Sequence, residues 1–301
     1  MARVLFIFLD GVGIGPAVES VNPFFRARLT ELSGLLGGTL PHLGSPEVSS
    51  PSAMAFPLDA CLGIEGLPQS GTGHAALLTG ENAPRIHGRH FGPWVPVRLR
   101  PLVQERNLLI RAQALGATCV FANAYPKEFR GSRWDRRPAG PPLAAAAAGL
   151  MDRQAAALGR GEALSSEIVN TAWREHLGYQ GLPEVTPFQA GENLARLASG
   201  ADLTFFAHYN TDYAGHRGRM DGGVIALERV DEFLGGVLDK LDPETLLVVA
   251  SDHGNLEDVG AGHTRNPALA ILAGPGAHAR RQGLKDITQI PGLILKVISG
   301  S

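Results

Sequence analysis

The sequence predicts an α/β protein with a mostly parallel sheet and a smaller α+β cap domain inserted into the core. Several short apolar runs end in polar or glycine-rich loops, which is typical of buried parallel strands. Between them lie segments with apolar residues at helical spacing, and strands that alternate with helices indicate an α/β core. The length of 301 residues and the hydrophobic content of 44% suffice for such a core.

The predicted elements follow in chain order. We expect five parallel strands, at residues 3–11, 117–124, 203–210, 246–254 and 268–274. The segment 223–241 predicts a helix, because five apolar residues recur there at roughly helical spacing: Ile225, Val230, Phe233, Leu234 and Leu238. The stretch 84–187 differs, since it is rich in Pro, Gly and Arg. We therefore assign residues 1–83 and 200–301 to a discontinuous core and residues 84–199 to the inserted cap.

Composition excludes several classes of partner. The net charge of −2 and the isoelectric point near 6.6 give no basic field for nucleic acid or an anionic membrane. No apolar run approaches the roughly 18 residues of a membrane span. Cys61 and Cys119 form no CxxC pair, which favours free thiols in a reducing compartment. We expect a cytoplasmic monomer or small homo-oligomer that acts on a small molecule.

Carboxylates and imidazoles cluster where the predicted strands end. Ligands of open α/β sheets bind at the carboxyl ends of strands, and Asp and His suit zinc, manganese or iron. Each residue alone has a simpler interpretation as a helix cap, a turn residue or a surface histidine. If 212–216 is helical, both side chains of that pair lie on one face. Together the residues predict a metal site: Asp10, Asp212, His216, Asp252, His253 and His263.

The stretch "QSGTGH" at 69–74 offers a nucleophile at the start of a predicted helix. A helix N-terminus has free N–H groups and a positive dipole end, which attract phosphate and favour an alkoxide. Ser70 and Thr72 are equal candidates on composition alone. The simpler alternative is a glycine-rich turn in which Ser70 is the N-cap.

The motifs "FLDGVG", "QSGTGHAALLTG", "NTDYAGH", "SDHGN" and "GHTRNP" resemble, in order and placement, those of cofactor-independent phosphoglycerate mutases. These mutases are two-metal enzymes of the alkaline phosphatase superfamily. The resemblance covers residues 1–83 and about 200–275. It implies a three-layer alkaline phosphatase-like core, two divalent ions (Mn²⁺ or Zn²⁺) and phosphoryl transfer through a phosphoserine.

Matching motif positions give each residue an expected role. One ion would be bound by Asp10, Ser70, Asp252 and His253, and the other by Asp212, His216 and His263. The motif favours Ser70 over Thr72 as the nucleophile. Gln69 stands where the family has Asn. Gln69, Thr72 and His74 are expected to contact the ligand residues rather than the ions, and for His74 direct catalysis is the alternative.

The resemblance does not reach the cap, and the family's members are considerably longer. A cationic stretch at 127–137 and the residues just after the nucleophile helix are candidates to grip the substrate, with a solvated surface as the alternative. These candidates are Arg85, His87, Arg130, Arg133 and Arg136.

We expect a phosphomonoesterase or phosphomutase for a small phosphorylated metabolite. The alternatives are a phosphodiesterase or a non-catalytic protein that binds such a metabolite. A sulfatase fits less well, because neither Cys61 nor Ser70 lies in the required Cys/Ser-x-Pro/Ala-x-Arg context.

Overall fold

The computed structural model describes residues 2–129, 131–217 and 219–300. Its sheet has seven strands: β1 Arg3–Leu9, β2 Val48–Ser49, β3 Ala53–Leu58, β4 Cys119–Phe121, β5 Leu203–His208, β6 Thr245–Ala250 and β7 Ala268–Ala273. They lie in the order β2-β3-β7-β6-β1-β5-β4. All five predicted strands are present. The sheet is mixed with a parallel centre, which confirms the predicted fold class.

The strand at 268–274 was predicted to be parallel, and this prediction is wrong. β6, β1, β5 and β4 run parallel to one another, but β7 is antiparallel to both β6 and β3. The loop between β6 and β7 contains no helix that crosses the sheet, so the chain enters β7 at the edge where it left β6 and the two strands are antiparallel.

Helices cover both faces of the sheet. They are α1 Thr30–Leu35, α2 Ser70–Thr79, α3 Ala83–His87, α4 Arg100–Arg106, α5 Leu108–Ala114, α6 Arg133–Arg136, α7 Gly140–Ala147, α8 Ala155–Gly159, α9 Thr171–Glu175, α10 Pro187–Ser199, α11 Asn210–Arg217, α12 Arg219–Lys240, α13 Ala277–Arg281 and α14 Ile290–Ser299. The helix predicted at 223–241 is α12. In the described ranges, no helix combines the length and apolar character that a membrane span needs.

The core has two apolar clusters, one on each face of the sheet. In β1, Val4, Phe6 and Phe8 point into the cluster beneath α2, α4, α5, α7 and α14. Their neighbours Leu5 and Ile7 point into the cluster beneath α1, α10 and α12. Side chains alternate between the two faces along a strand, so the sequence of a strand that is buried on both faces is one continuous apolar run. The result is a three-layer α/β/α core.

Much of the segment predicted as a cap belongs to this core. β4 is the edge strand of the same sheet, and Val103, Leu108 and Ala144 lie in the cluster beneath α2. A smaller third cluster, which includes Leu158 and Trp173, lies later in the segment. The predicted cap is thus only in part separate from the core, because its strand and several of its helices complete the core's own layers. The boundaries at 84 and 199 stay a prediction.

Candidate metal centre

Three adjacent parallel strands bring the predicted ligands to one edge of the sheet. β6, β1 and β5 are neighbours and point the same way, so their carboxyl ends meet. Asp10 follows β1, α11 with Asp212 follows β5, and Asp252 and His253 follow β6. These segments are far apart in the chain, and only the sheet order makes them neighbours.

Asp10, Asp252, His253 and Ser70 converge on one point. The Nε2 of His253 lies 3.5 Å from Asp10 Oδ1, 3.5 Å from Asp252 Oδ2 and 3.1 Å from Ser70 Oγ. All four residues are buried, with at most 5% of their surface exposed. These four residues are the ligand set that the sequence predicts for the first ion, and we call them the inner cluster.

Asp212, His216 and His263 form the adjoining outer cluster. Asp212 and His216 share one face of α11, with Oδ2 and Nε2 3.5 Å apart, as the helical i,i+4 spacing predicts. His263 reaches in from the loop before β7, and its Nε2 lies 3.6 Å from Asp212 Oδ1. The His216 and His263 Nε2 atoms are 2.9 Å apart. His253 adjoins both clusters, since its Nε2 is also 4.0 Å from Asp212 Oδ1.

Backbone carbonyls fix which nitrogen of two histidines faces the centre. His263 Nδ1 is 2.8 Å from the carbonyl oxygen of Pro68, and His253 Nδ1 is 3.2 Å from that of Gly254. A carbonyl only accepts, so each Nδ1 carries the hydrogen and donates it. In the neutral rings the lone pair of each Nε2 is therefore directed into the clusters, which is the usual arrangement for a histidine that binds a metal.

Burial and mutual proximity shift the pKa values of the inner cluster strongly. Burial raises the pKa of Asp252 to about 7. Burial also raises the pKa of Asp10, but His74 and His253 more than offset it and hold that pKa well below its usual range. Burial lowers the pKa of His253, yet the neighbouring carboxylates, Asp252 first, raise it to about 10. The site therefore attracts positive charge, which a metal cation would satisfy.

Two unpartnered oxygens show that the residues fit a cation. Asp10 Oδ1 and Asp252 Oδ2 are fully buried and have no hydrogen-bond partner. A buried carboxylate oxygen without a donor is costly. Both atoms face the Nε2 of His253, and each set, Asp10–Asp252–His253 and Asp212–His253–His263, offers ligand atoms within 4.8 Å of one another. Each set could hold a metal ion, and the second contains His253 where the outer cluster has His216.

The hydroxyls of Ser70 and Thr72 have different surroundings. Ser70 is the first residue of α2 and not its N-cap, which the simpler interpretation had predicted. Its Oγ faces the inner cluster. Thr72 donates to the carbonyl oxygen of Gln69 at 3.2 Å and accepts from Phe91 N at 3.2 Å. Gln69 is the N-cap, without a side-chain capping bond. Of the two hydroxyls, that of Ser70 contacts a ligand candidate, His253, whereas that of Thr72 contacts backbone groups.

His74 supports the inner cluster from one turn along α2. Its Nδ1 accepts a hydrogen bond from Gly140 N at 3.2 Å, so the proton lies on Nε2. That Nε2 lies 3.3 Å from Asp10 Oδ2 and 3.6 Å from Asp252 Oδ2. His74 thereby orients a carboxylate rather than binding a metal. It also links the centre to α7.

The residues predicted to bind the substrate make other contacts. Arg85 is exposed on α3, and His87 packs its ring against Phe91 at 5.2 Å. Arg133 lies 4.4 Å over the ring of Trp134, and Arg136 donates to the carbonyl oxygen of Gly131. None of these contacts involves the metal clusters. Arg130 lies outside the described residues. The role of all five stays a prediction.

The structure adds two residues that motif matching missed. Asn255 Nδ2 donates to Asp212 Oδ1 at 2.6 Å and so holds a ligand of the outer cluster. Thr211 Oγ1 donates to the carbonyl oxygen of Asp10 at 2.6 Å and ties α11 to the end of β1. Both residues lie inside the quoted motifs, next to ligands, and their position was the available signal.

Comparison with known proteins agrees with this geometry. The sequence model of the metalloenzyme superfamily matches residues 183–298, which include α11, β6 and the loop with His263. The fold resembles alkaline phosphatase from the Antarctic bacterium TAB5, at a TM-score of 0.51 and 14% identity over 98% of this chain and 97% of that one. It also resembles the PH0037 protein from Pyrococcus horikoshii, at 0.58 and 14% over 100% and 97%.

Curated relatives share part of the sequence. A 2,3-bisphosphoglycerate-independent phosphoglycerate mutase from Staphylococcus aureus is 31% identical over 35% of this chain and 23% of its own length. These similarities support a metalloenzyme with an alkaline phosphatase-like fold. Another relative is a phosphopentomutase from Methylobacterium, 39% identical over 46% of the chain. The chain spans only 36% of that relative's length, so the similarity supports metal-dependent phosphoryl transfer in general.

Proposed function

We propose that this metalloenzyme transfers phosphoryl groups of a small phosphorylated metabolite through a phosphoserine at Ser70, as a phosphomonoesterase or phosphomutase. One observation carries the proposal. The Ser70 hydroxyl lies 3.1 Å from the same His253 nitrogen that faces the two unpartnered carboxylate oxygens of Asp10 and Asp252. A nucleophile, an imidazole and a cation site thus share one buried point.

The residues of the chain provide a nucleophile at the positive end of a helix dipole. Ser70 begins α2, so the helix N-terminus favours negative charge at its Oγ and on an incoming phosphate. Two divalent ions, when bound, would neutralise the phosphate and favour the serine alkoxide. The bond between Oγ and phosphorus forms as the ester bond of the substrate breaks, and the released ester oxygen takes up a proton. A water, or a second hydroxyl of the substrate, then displaces Ser70.

The proposal includes the finer expectations from the sequence. The ions would be Mn²⁺ or Zn²⁺, one in each cluster. The partner would be a small phosphorylated metabolite rather than nucleic acid or a membrane, and the protein a monomer or small homo-oligomer. A cytoplasmic location is supported by Cys61 and Cys119, which are free thiols in the structure.

Phosphorus NMR of the manganese-loaded protein with 3-phosphoglycerate, ribose 5-phosphate and other sugar phosphates tests the proposal. A new phosphomonoester signal without inorganic phosphate would identify a mutase, and inorganic phosphate a phosphatase. Ser70→Ala should remove at least 99% of the turnover and all covalent phosphate labelling, because the nucleophile is lost.

The matched control is Thr72→Val, which removes the neighbouring hydroxyl and keeps the shape of the side chain. We expect it to retain labelling. Labelling that survives in Ser70→Ala and disappears in Thr72→Val would overturn the assignment of the nucleophile. Metal-loaded protein that binds these phosphates and turns over none of them would favour the non-catalytic alternative.

A further inference from the structure

Glu257 is a fully buried carboxylate that accepts four hydrogen bonds. Oε2 accepts from the backbone N–H groups of Gly13 at 3.0 Å and Asn255 at 2.8 Å. Oε1 accepts from Thr264 Oγ1 at 2.5 Å and Asn266 Nδ2 at 3.1 Å. A carboxylate has about four acceptor positions, so these donors fill them. Glu257 is not among the residues that the motifs assigned to the metal clusters.

The four donors come from the loop after β1 and from two separate parts of the loop between β6 and β7, and each of these three segments carries a metal-ligand candidate. Gly13 lies in the loop after β1, three residues after Asp10. Asn255 lies in the loop after β6, directly after the segment with Asp252 and His253. Thr264 follows His263 in the loop before β7. One side chain therefore joins the inner cluster to the outer cluster without facing either.

The glycines around Glu257 are required by its close packing. A Cβ on Gly13 would lie 2.5 Å from the carboxylate carbon of Glu257. A Cβ on Gly254 would collide with Oε1 of Glu257 and with the Thr264 hydroxyl. Any larger residue at either position would push its loop away from the carboxylate. The loops are thus built around Glu257, and its position fixes their spacing.

We infer that Glu257 is a positioning residue that sets the distance between the two metal clusters. Its hydrogen bonds fix the relative positions of three segments. These segments carry Asp10, the pair Asp252 and His253, and His263. This inference rests on the proposed metal centre. Ligand atoms must be placed within a few tenths of an ångström for tight binding, and the partners that orient ligands are typically worth a factor of ten to a hundred in metal affinity.

The position requires a carboxylate, because all four neighbours donate. In Glu257→Gln, one of the two side-chain oxygens becomes an NH₂ group, which only donates. The amide then faces two donors whichever way it is flipped: Gly13 and Asn255, or Thr264 and Asn266. At least two hydrogen bonds are lost at nearly unchanged volume, and one pair of donors is pushed away from the side chain.

The test measures metal binding by Glu257→Gln in competition with a chromophoric chelator, using Zn²⁺ and Mn²⁺, together with metal content per chain. Wild type should hold two ions. We expect the variant to bind them on the order of ten- to a hundredfold more weakly. With a substrate at saturating metal, kcat should fall more than KM rises, because the reacting groups are displaced.

Asp231→Asn is the matched control for a buried carboxylate that becomes an amide. Asp231 lies on α12 and accepts from the backbone of Glu31 and Leu32 at the start of α1, away from the clusters. It should lose stability and keep wild-type metal affinity. Thr264→Val is a second variant in case Glu257→Gln does not fold. It removes one donor and should weaken metal binding by a smaller factor.

The outcomes separate this inference from the proposed function. If wild type binds no ions, the metal centre itself is wrong. If wild type binds two ions and folded Glu257→Gln binds them with the same affinity, the inference fails and the metal centre stands. The inference also fails if Asp231→Asn weakens metal binding as much as Glu257→Gln does, since the effect would then be one of stability alone.

Discussion

His208, the last residue of β5, is a buried histidine that lies beside the metal centre and is not one of its ligand candidates. It is fully buried, and its Nδ1 lies 2.8 Å from the carbonyl oxygen of Ser166. Burial, assisted by the charge of Arg229, lowers its pKa to about 4. In the folded protein His208 is therefore neutral at pH 5, whereas in the unfolded chain, with a pKa near 6.5, it is mostly protonated.

We predict a pH dependence of stability from this difference. Between pH 6.5 and pH 4 the unfolded state binds one more proton than the folded state at this position, so the free energy of unfolding falls as pH falls. The contribution of His208 is about 2 kcal/mol between pH 7 and pH 5. His208→Asn retains a donor for Ser166 and does not titrate. Its loss of stability over that range should be about 2 kcal/mol smaller than that of wild type.

Denaturant unfolding of both proteins at pH 7 and pH 5, with a chelator present, measures the effect. The other titrating groups are common to both proteins, so their contributions cancel in the comparison. Equal losses in wild type and His208→Asn would contradict the assignment of His208 as a neutral buried histidine.

The packing of α10 against α12 depends on glycine. A Cβ on Gly191 of α10 would collide with the carbonyl oxygen of Phe233 on α12, and a Cβ on Gly236 of α12 would collide with that of Phe188 on α10. The backbones of the two helices are thus in direct contact at these positions. Packed helices usually have axes 8 to 10 Å apart, with larger side chains between them. They cover one face of the sheet behind the metal centre.

We predict that Gly191→Ala lowers the free energy of unfolding by about 3 kcal/mol, because the added methyl group forces the helices apart. Gly222→Ala on α12 is the control, since a Cβ there meets no atom within 4 Å. In a helix this change gains up to about 1 kcal/mol. Chemical denaturation of the two variants measures both changes. A Gly191→Ala variant as stable as wild type would show that the helices are not in close contact.

Which elements the sequence could predict follows from how they are buried. β1, β5 and β6 lie at the centre and are apolar on both faces, so their runs are continuous. β3 was missed because it contains Pro57, which interrupts the pattern of a strand. The direction of β7 was missed because an apolar run carries no information on the direction of its neighbours. α12 was found because its apolar face is long and periodic.

At the scale of the whole molecule, the metal centre depends on contacts that the motifs do not encode. The ligand candidates were predictable because several Asp and His residues fall together at the predicted strand ends, and the resemblance ordered them. The contacts that orient them were not, since the bond between His74 and Gly140 and the bond between Glu257 and Gly13 join distant parts of the chain. The place of β4 in the core sheet was not predictable for the same reason, since its pairing with β5 joins segments that are far apart in the chain.

Metal binding should therefore stabilise the entire chain. The clusters join the ends of β1, β5 and β6 with the loop before β7, and the unfolded chain has no such site.

At a free metal concentration a hundred times the Kd, one site contributes about 2.7 kcal/mol to the free energy of unfolding, which corresponds to roughly 5 °C in Tm. We expect EDTA to lower the Tm of wild type by at least this amount and Mn²⁺ or Zn²⁺ to restore it. Asp252→Asn should reduce the shift clearly, because it removes a charged ligand candidate of the inner cluster. Asp258→Asn makes the same change of charge on the same loop, where the Asp258 carboxylate accepts from Gly260 N, and should retain the shift. Thermal unfolding followed by circular dichroism, with and without EDTA, measures all three proteins. A Tm of wild type that is insensitive to EDTA and to added metal would exclude a metal centre that joins these strands.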